Sequence, residues 1–193
     1  MPIDSVCVYC GSSNRVDEAY KDVARAVGRG LAEKGKRIVY GGGRVGLMGI
    51  VADAALAAGG KVTGIIPEHI QSREVEHTGL TELIVVADMH TRKRMMVERS
   101  DAFVILPGGF GTLDETFEIL TWKQLNLHAK PIVIYNACGY WDHLLALIRG
   151  LVDAGFAPPA NLDLFAVADT MEAMFAALAR AEPVSGDVAS KWM

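Results

Sequence analysis

Short, apolar, β-branched runs alternate with longer helical patterns along this chain, and that alternation limits the folds open to it. The runs are SVCVYC (5–10), RIVYG (37–41), KVTGII (61–66), ELIVV (82–86), AFVILPG (102–108), PIVIY (131–135) and LFAVA (164–168). Several are apolar at nearly every position, as strands covered on both faces of a parallel sheet must be. Helical segments at roughly 17–34, 46–58, 90–100, 112–126, 140–154 and 170–181 separate them. Parallel neighbours need crossovers, and crossovers within one sheet share a right hand. The pattern predicts an α/β fold: a doubly wound, three-layer domain with about seven parallel strands. We place that domain at residues 1–182 and read 183–193 as a loose tail.

The chain has 193 residues, 51% of them apolar and 22% charged, enough for the core of one domain. Its formal net charge of −4 speaks against a nucleic-acid polymer as partner, since such surfaces are strongly basic. It does not speak against a small anion held in a local pocket. No run approaches the roughly 18 apolar residues of a membrane span. The start, MPIDSVCVYCGSS, carries Asp4 and no basic segment, unlike a signal peptide. A cytoplasmic location is the expectation, and three cysteines fit a compartment where thiols stay reduced. Cys7 and Cys10 form C-x-x-C, but on a strand positions three apart face opposite ways, so two packed side chains are expected rather than a redox or zinc pair.

Three glycine-rich stretches fall at strand carboxyl ends, where open α/β sheets bind ligands. They are CGSSN after the first strand, GGGRVGLMG after the second and PGGFGT after the fifth. Gly41, Gly43 and Gly46 satisfy G-x-G-x-x-G, but the acid that would bind an NAD ribose about 20 residues on is missing. No P-loop occurs. Any one of these stretches is explained by a tight turn. Three at strand carboxyl ends, with the hydroxyls of Ser12, Ser13 and Thr112, suggest a cradle for the phosphate of a mononucleotide or sugar phosphate.

Residues 87–109 add a basic helix bearing Arg92, Lys93, Arg94 and Arg99, with His90 beside them. Arg94 and Arg99 fit a solvated face. Arg92 and Lys93 lie in the first turn, beyond the fourth strand, where they reach the glycine rim, and an arginine fork suits phosphate or carboxylate. Glu115 follows Thr112 by three residues. That is the spacing of a capping box, and equally a place for a reactive carboxylate beside a phosphate loop. Spacing does not choose between these two roles. Asp114 fits a partner for the helix dipole.

PGGFGTLDE (107–115) resembles the P-G-G-x-G-T-x-x-E signature of the Lonely guy family, and MHTRKRMM (89–96) resembles its M-H-x-R-K-x-x-M companion. CVYCGSS, YGGGRVGLMG, GIIP and LTWKQLNLHAKPIVIYNACGYWDHLL follow in the family's order, so the resemblance covers roughly residues 5–180. It implies a Rossmann-like fold and a cytokinin riboside 5′-monophosphate phosphoribohydrolase. Such an enzyme cleaves the N-glycosidic bond of AMP or N6-prenyl-AMP to free base and ribose 5-phosphate. It also implies a homodimer with the site near the interface, and neither metal nor redox cofactor.

Carried over by position, Arg92 and Glu115 match the catalytic pair. Lys93, Glu74, Thr121 and the run Gly108, Gly109, Phe110, Gly111, Thr112, Leu113 and Asp114 match substrate positions. Gly11, Ser12, Ser13, Gly42 and Gly43 match the fold's phosphate and nucleotide rim. Glycosidic cleavage passes through an oxocarbenium-like ribose that a carboxylate stabilises, which suits Glu115. Met89, Met95, Met96 and Trp122 are candidates for an apolar base pocket, although helical Met and Trp more often fill core. A non-catalytic nucleotide or molybdenum-cofactor carrier is the alternative reading. The family's former label, lysine decarboxylase, would need a lysine placed for a pyridoxal-phosphate Schiff base, and no such constellation is visible.

Overall fold

The computed structural model describes residues 2–71, 77 and 79–180. Glu74 and the tail at 183–193, with the boundary placed before it, lie outside the described residues. Seven strands form one parallel sheet: β1 (Ser5–Tyr9), β2 (Arg37–Tyr40), β3 (Val62–Pro67), β4 (Glu82–Val86), β5 (Ala102–Ile105), β6 (Ile132–Tyr135) and β7 (Ala166–Ala168). Their order is β4-β3-β2-β1-β5-β6-β7. The chain winds outward from β1 in one direction through β4, then returns to place β5 on the other side of β1. Val8 pairs with Val104 and Tyr9 with Ile105 across that return. A reversal of this kind leaves a crevice outside the carboxyl ends of the two central strands. Rossmann-like doubly wound topology is therefore the observed fold.

The helices are α1 (Glu18–Glu33), α2 (Leu47–Ala57), α3 (Glu68–Gln71), α4 (Met89–Glu98), α5 (Phe110–Gln124), α6 (Asp142–Asp153) and α7 (Met171–Ala179). Side chains alternate across β1: Val6, Val8 and Cys10 enter the core under α1, α2 and α7, while Cys7 and Tyr9 enter the one under α4, α5 and α6. The thiols of Cys7 and Cys10 are thus buried on opposite faces of the sheet, and burial pushes both far above the ordinary thiol range. They form no redox or metal pair. Where α1 crosses α2, a Cβ on Gly28 would stand 2.3 Å from the Val51 carbonyl oxygen, so only glycine permits that approach.

One boundary differs from expectation in a way that matters for function. Helix α5 was expected from 112, with Thr112 as its cap in one of the two readings left open; it begins at Phe110 with Gly109 as N-cap, and no side chain caps it. The short helix α3 and the 3-10 turns Ala137–Gly139 and Pro159–Leu164 carry no sequence period long enough to announce them. None of the helices among the described residues is long and apolar enough to cross a membrane.

Candidate active site

The β1 and β5 loops meet at the crevice. Gly11 N–H donates to the Pro107 carbonyl at 2.9 Å, and Leu47 N–H donates to Gly11 O at 2.9 Å, tying in the start of α2. The β2 loop closes the third side. Gly46, at φ +70°, would press a Cβ to within 2.4 Å of Ser12, and its N–H donates to Asn14 Oδ1 at 2.8 Å. These contacts enclose a cavity of about 190 Å³ lined by Gly11, Ser12, Gly41, Gly109–Thr112, Arg92 and Glu115, with Val8, Cys10, Met48 and Met96 as its apolar wall.

Helix α5 aims its amino end into this cavity. Leu113 is bonded back to Gly109 O at 3.0 Å; the N–H groups before it have no carbonyl a turn behind them. A cluster of free N–H groups at a helix start attracts anions. The glycines here divide into two kinds. A Cβ on Gly108 would sit 2.1 Å from Thr112 Oγ1, and one on Gly41 would sit 1.9 Å from Arg92 Nη2, so both are small because protein atoms pass close by. At Gly109 and Gly111 a Cβ would meet nothing within 4 Å, and neither has a positive φ. Neither packing nor backbone conformation requires glycine there. Both residues line the cavity.

The start at Phe110 removes the capping-box reading of Glu115. It lies beyond the first turn, out of reach of a capping box, and its side chain goes into the cavity wall. It is 9% exposed. Burial, reinforced by Asp114 and Glu118 and opposed by Arg92 and Lys93, pushes its carboxyl up to about 7. Arg92, 8% exposed, is its nearest cation, with Nη1 3.8 Å from Oε1. The guanidinium is braced from β2 and β3: Nε donates to Ile65 O at 3.1 Å and Nη2 to Gly41 O at 3.2 Å. This fixes a positive group beside a carboxyl that titrates near neutrality, a combination typical of sites that move protons.

The other sequence candidates divide. Lys93 is buried but does not reach the cavity; its ammonium bonds Asp114 Oδ2 and Glu118 Oε1, each at 3.1 Å. Burial works against that charge, and the two carboxylates outweigh it, holding the ammonium above its ordinary range. Asp114 therefore serves an ion pair between α4 and α5 rather than the helix dipole. Leu113 packs into the α4–α6 core, and Gly108 supports the turn from behind. Ser13 Oγ accepts from Arg15 N–H at 3.2 Å, away from the cavity. Gly42 (φ +78°) is wedged against Ile65 and Ile66, and the cavity reaches Gly41 but neither Gly42 nor Gly43.

Thr121 is on the outer face of α5. It lies in a separate groove of about 250 Å³ between α5 and α6, with Phe117, Leu151 and Phe156. Of the apolar candidates, Met96 lines the cavity, while Met95 and Trp122 pack against core. Met48 and Val8 were not anticipated. Met48 sits within the glycine loop's own motif, and its position after Gly46 is the signal that could have found it. Arg94 and Arg99 pair with Glu98 and Glu82 at the surface, as a solvated face would.

Comparison with known proteins adds a family and a set of relatives. A family profile described as possible lysine decarboxylase matches residues 48–178. A cytokinin riboside 5′-monophosphate phosphoribohydrolase of Arabidopsis thaliana is 42% identical over 186 residues, which is 96% of this chain and 82% of that protein. The cytokinin riboside 5′-monophosphate phosphoribohydrolase of Rhodococcoides fascians is 47% identical over 175 residues, covering 90% and 88%. Among solved structures, a molybdenum cofactor carrier protein of Chlamydomonas reinhardtii matches with a TM-score of 0.72 at 22% identity, over 93% of this chain and 98% of that one. A molybdenum cofactor binding protein of Rippkaea orientalis matches with a TM-score of 0.68 at 21% identity, over 91% and 95%. At those identities the structural likeness is one of fold.

Proposed function

The chain belongs to the Lonely guy family, whose profile is described as possible lysine decarboxylase, and from that premise we infer a cytokinin riboside 5′-monophosphate phosphoribohydrolase. It hydrolyses the N-glycosidic bond of adenosine 5′-monophosphates, plain or N6-substituted, to free base and ribose 5-phosphate. The observation that carries the reading to this chain's own residues is the buried Glu115 beside Arg92, facing the free amino end of α5 across one cavity.

In this reading the 5′-phosphate sits on the free N–H groups of the α5 start, above Gly109 and Gly111, and Thr112 and Ser12 complete its shell. The ribose then lies against Glu115. As the bond from the anomeric carbon to the base nitrogen breaks, its electron pair leaves with the base and positive charge builds on the sugar. The Glu115 carboxylate stabilises that charge and takes a proton from the water that adds to the same carbon, while the departing base takes up a proton from solvent and leaves as the neutral free base. Arg92, held by two backbone carbonyls, keeps a share of Glu115 ionised and orients the substrate's oxygens. Pure carriage of a ligand needs no such pair, and likeness to the carrier proteins is one of fold. The family's description finds no support at this cavity either: none of the described residues lining it is a lysine, so no amine stands ready for a Schiff base.

Association into a homodimer through the exposed α5–α6 face, and residence in the cytoplasm, complete the proposal. Incubation with AMP and with N6-isopentenyl-AMP, followed by chromatography of the free base, tests the activity. Release of adenine or isopentenyladenine is expected, and no release from either nucleotide overturns the reading.

A further inference from the structure

After β6 the chain makes an unusual turn. Cys138 adopts φ +56° and ψ +24°, and Gly139 follows at φ +69°. A residue with a Cβ enters that region at a cost and stays there only when its surroundings dictate it. Asn136 brackets the turn. Its Oδ1 accepts from Trp141 N–H at 2.7 Å and its Nδ2 donates to Asp142 Oδ1 at 2.8 Å. The outcome is one placed side chain. The Tyr140 ring is held edge-on between Tyr20 (5.3 Å, 76°) and Trp141 (4.7 Å, 83°), and its hydroxyl donates to the Gly108 carbonyl at 2.8 Å.

That carbonyl belongs to the peptide unit between Gly108 and Gly109. Neither flanking residue has a Cβ, so the two residues' own backbone preferences do not fix which way this unit faces. In a trans peptide the C=O and N–H point opposite ways. Holding the carbonyl toward Tyr140 therefore directs the Gly109 N–H the other way, and Gly109 lines the cavity. In the flipped state a carbonyl oxygen would face an incoming phosphate.

We propose that Tyr140 is a positioning residue for the phosphate turn: its hydroxyl selects the orientation of the Gly108–Gly109 peptide that presents a donor to the substrate. The proposal rests on the hydrolase reading for the identity of the ligand. Tyr140 touches no substrate in this account, and its effect runs wholly through the peptide. The turn after β6, held away from the ordinary backbone regions, is the scaffold that places it.

Tyr140→Phe keeps both ring contacts and removes the hydroxyl. Loss of one neutral hydrogen bond that biases the peptide should raise KM for AMP about fivefold, with kcat changed far less. Inhibition by inorganic phosphate should weaken by the same factor, while inhibition by adenine, which has no phosphate, stays at the wild-type value. Unchanged phosphate inhibition overturns the proposal, and so does an equal loss of phosphate and adenine inhibition, which marks general damage to the fold. Calorimetric titration of both proteins with inorganic phosphate reads the same difference without turnover. If the wild-type protein released no base from any nucleotide, the hydrolase reading would fall, and the titration would still judge the role of the hydroxyl.

Discussion

Glu115 carries two consequences at once, because the burial that tunes it also makes its charge costly. With a folded-state value near 7 against an ordinary 4.5, the native protein holds a proton that the unfolded chain has already lost. Stability therefore falls as pH rises from about 4.5 to 7 and stays lowered above that, by on the order of 3 kcal/mol. Glu115→Gln removes the charge and keeps the shape. Its melting temperature should match the wild type at pH 5 and exceed it by several degrees at pH 8, while hydrolysis of AMP drops on the order of 10²–10³-fold. Calorimetry at the two pH values and a base-release assay check both halves. An equal melting temperature at pH 8 would mean that the carboxylate is better solvated than its burial indicates. In the proposed mechanism the ionised form does the chemistry, so kcat/KM of the wild type should rise through pH 7; a fall through that range would make Glu115 the proton donor to the leaving base instead.

At the scale of elements, the amino end of α5 decides the site, and it is also where sequence and structure part. The seven strands and the six long helices were legible in order, because buried parallel strands announce themselves as apolar runs; the short α3 was not. The start of α5 was not, because Gly109, Phe110 and Gly111 look like loop by propensity, and Thr112 three residues before Glu115 imitates a cap. The helix extends through them because its first-turn N–H groups need no partner in the chain. Lys93 was misplaced for a related reason. Its motif position puts it in the right turn of α4, but only the packing of α4 on α5 shows Asp114 and Glu118 turned toward it. Fold and function should separate at these glycines. Gly111→Ala lies within a helix and meets no atom, so thermal stability should hold or rise by up to about 1 kcal/mol. KM for AMP should rise at least tenfold, because the methyl occupies the space given to the phosphate; wild-type KM would reassign that space.

On the scale of the whole molecule, the surface of α5 and α6 is the feature that a lone chain leaves unexplained. Phe117, Leu151 and Phe156 are 37%, 38% and 87% exposed at the groove that holds Thr121, and Leu147, one turn before Leu151 on α6, is 55% exposed. Apolar residues clustered in this way mark an association surface. Sedimentation at micromolar concentration should give twice the mass of the chain, and Leu151→Glu should halve it without unfolding the protein. A dimer that survives this change would have to use another face. Thr121 matched a substrate position by motif, yet lies outside the cavity of its own chain; a partner packed on α5 would put it at the interface.

The strand order has a final consequence. Everything from β1 to α4 precedes the seam between β1 and β5, and everything from β5 onward follows it. Arg92 ends up on one side of that seam and Glu115 on the other. Neither half of the chain carries both members of the proposed catalytic pair, and a cut between α4 and β5 would separate the two charged groups without removing a residue. Turnover is then a readout of docking: two fragments divided near Ser100 become an enzyme only when β5 finds its place beside β1, so recovery of base release times the last step of assembly.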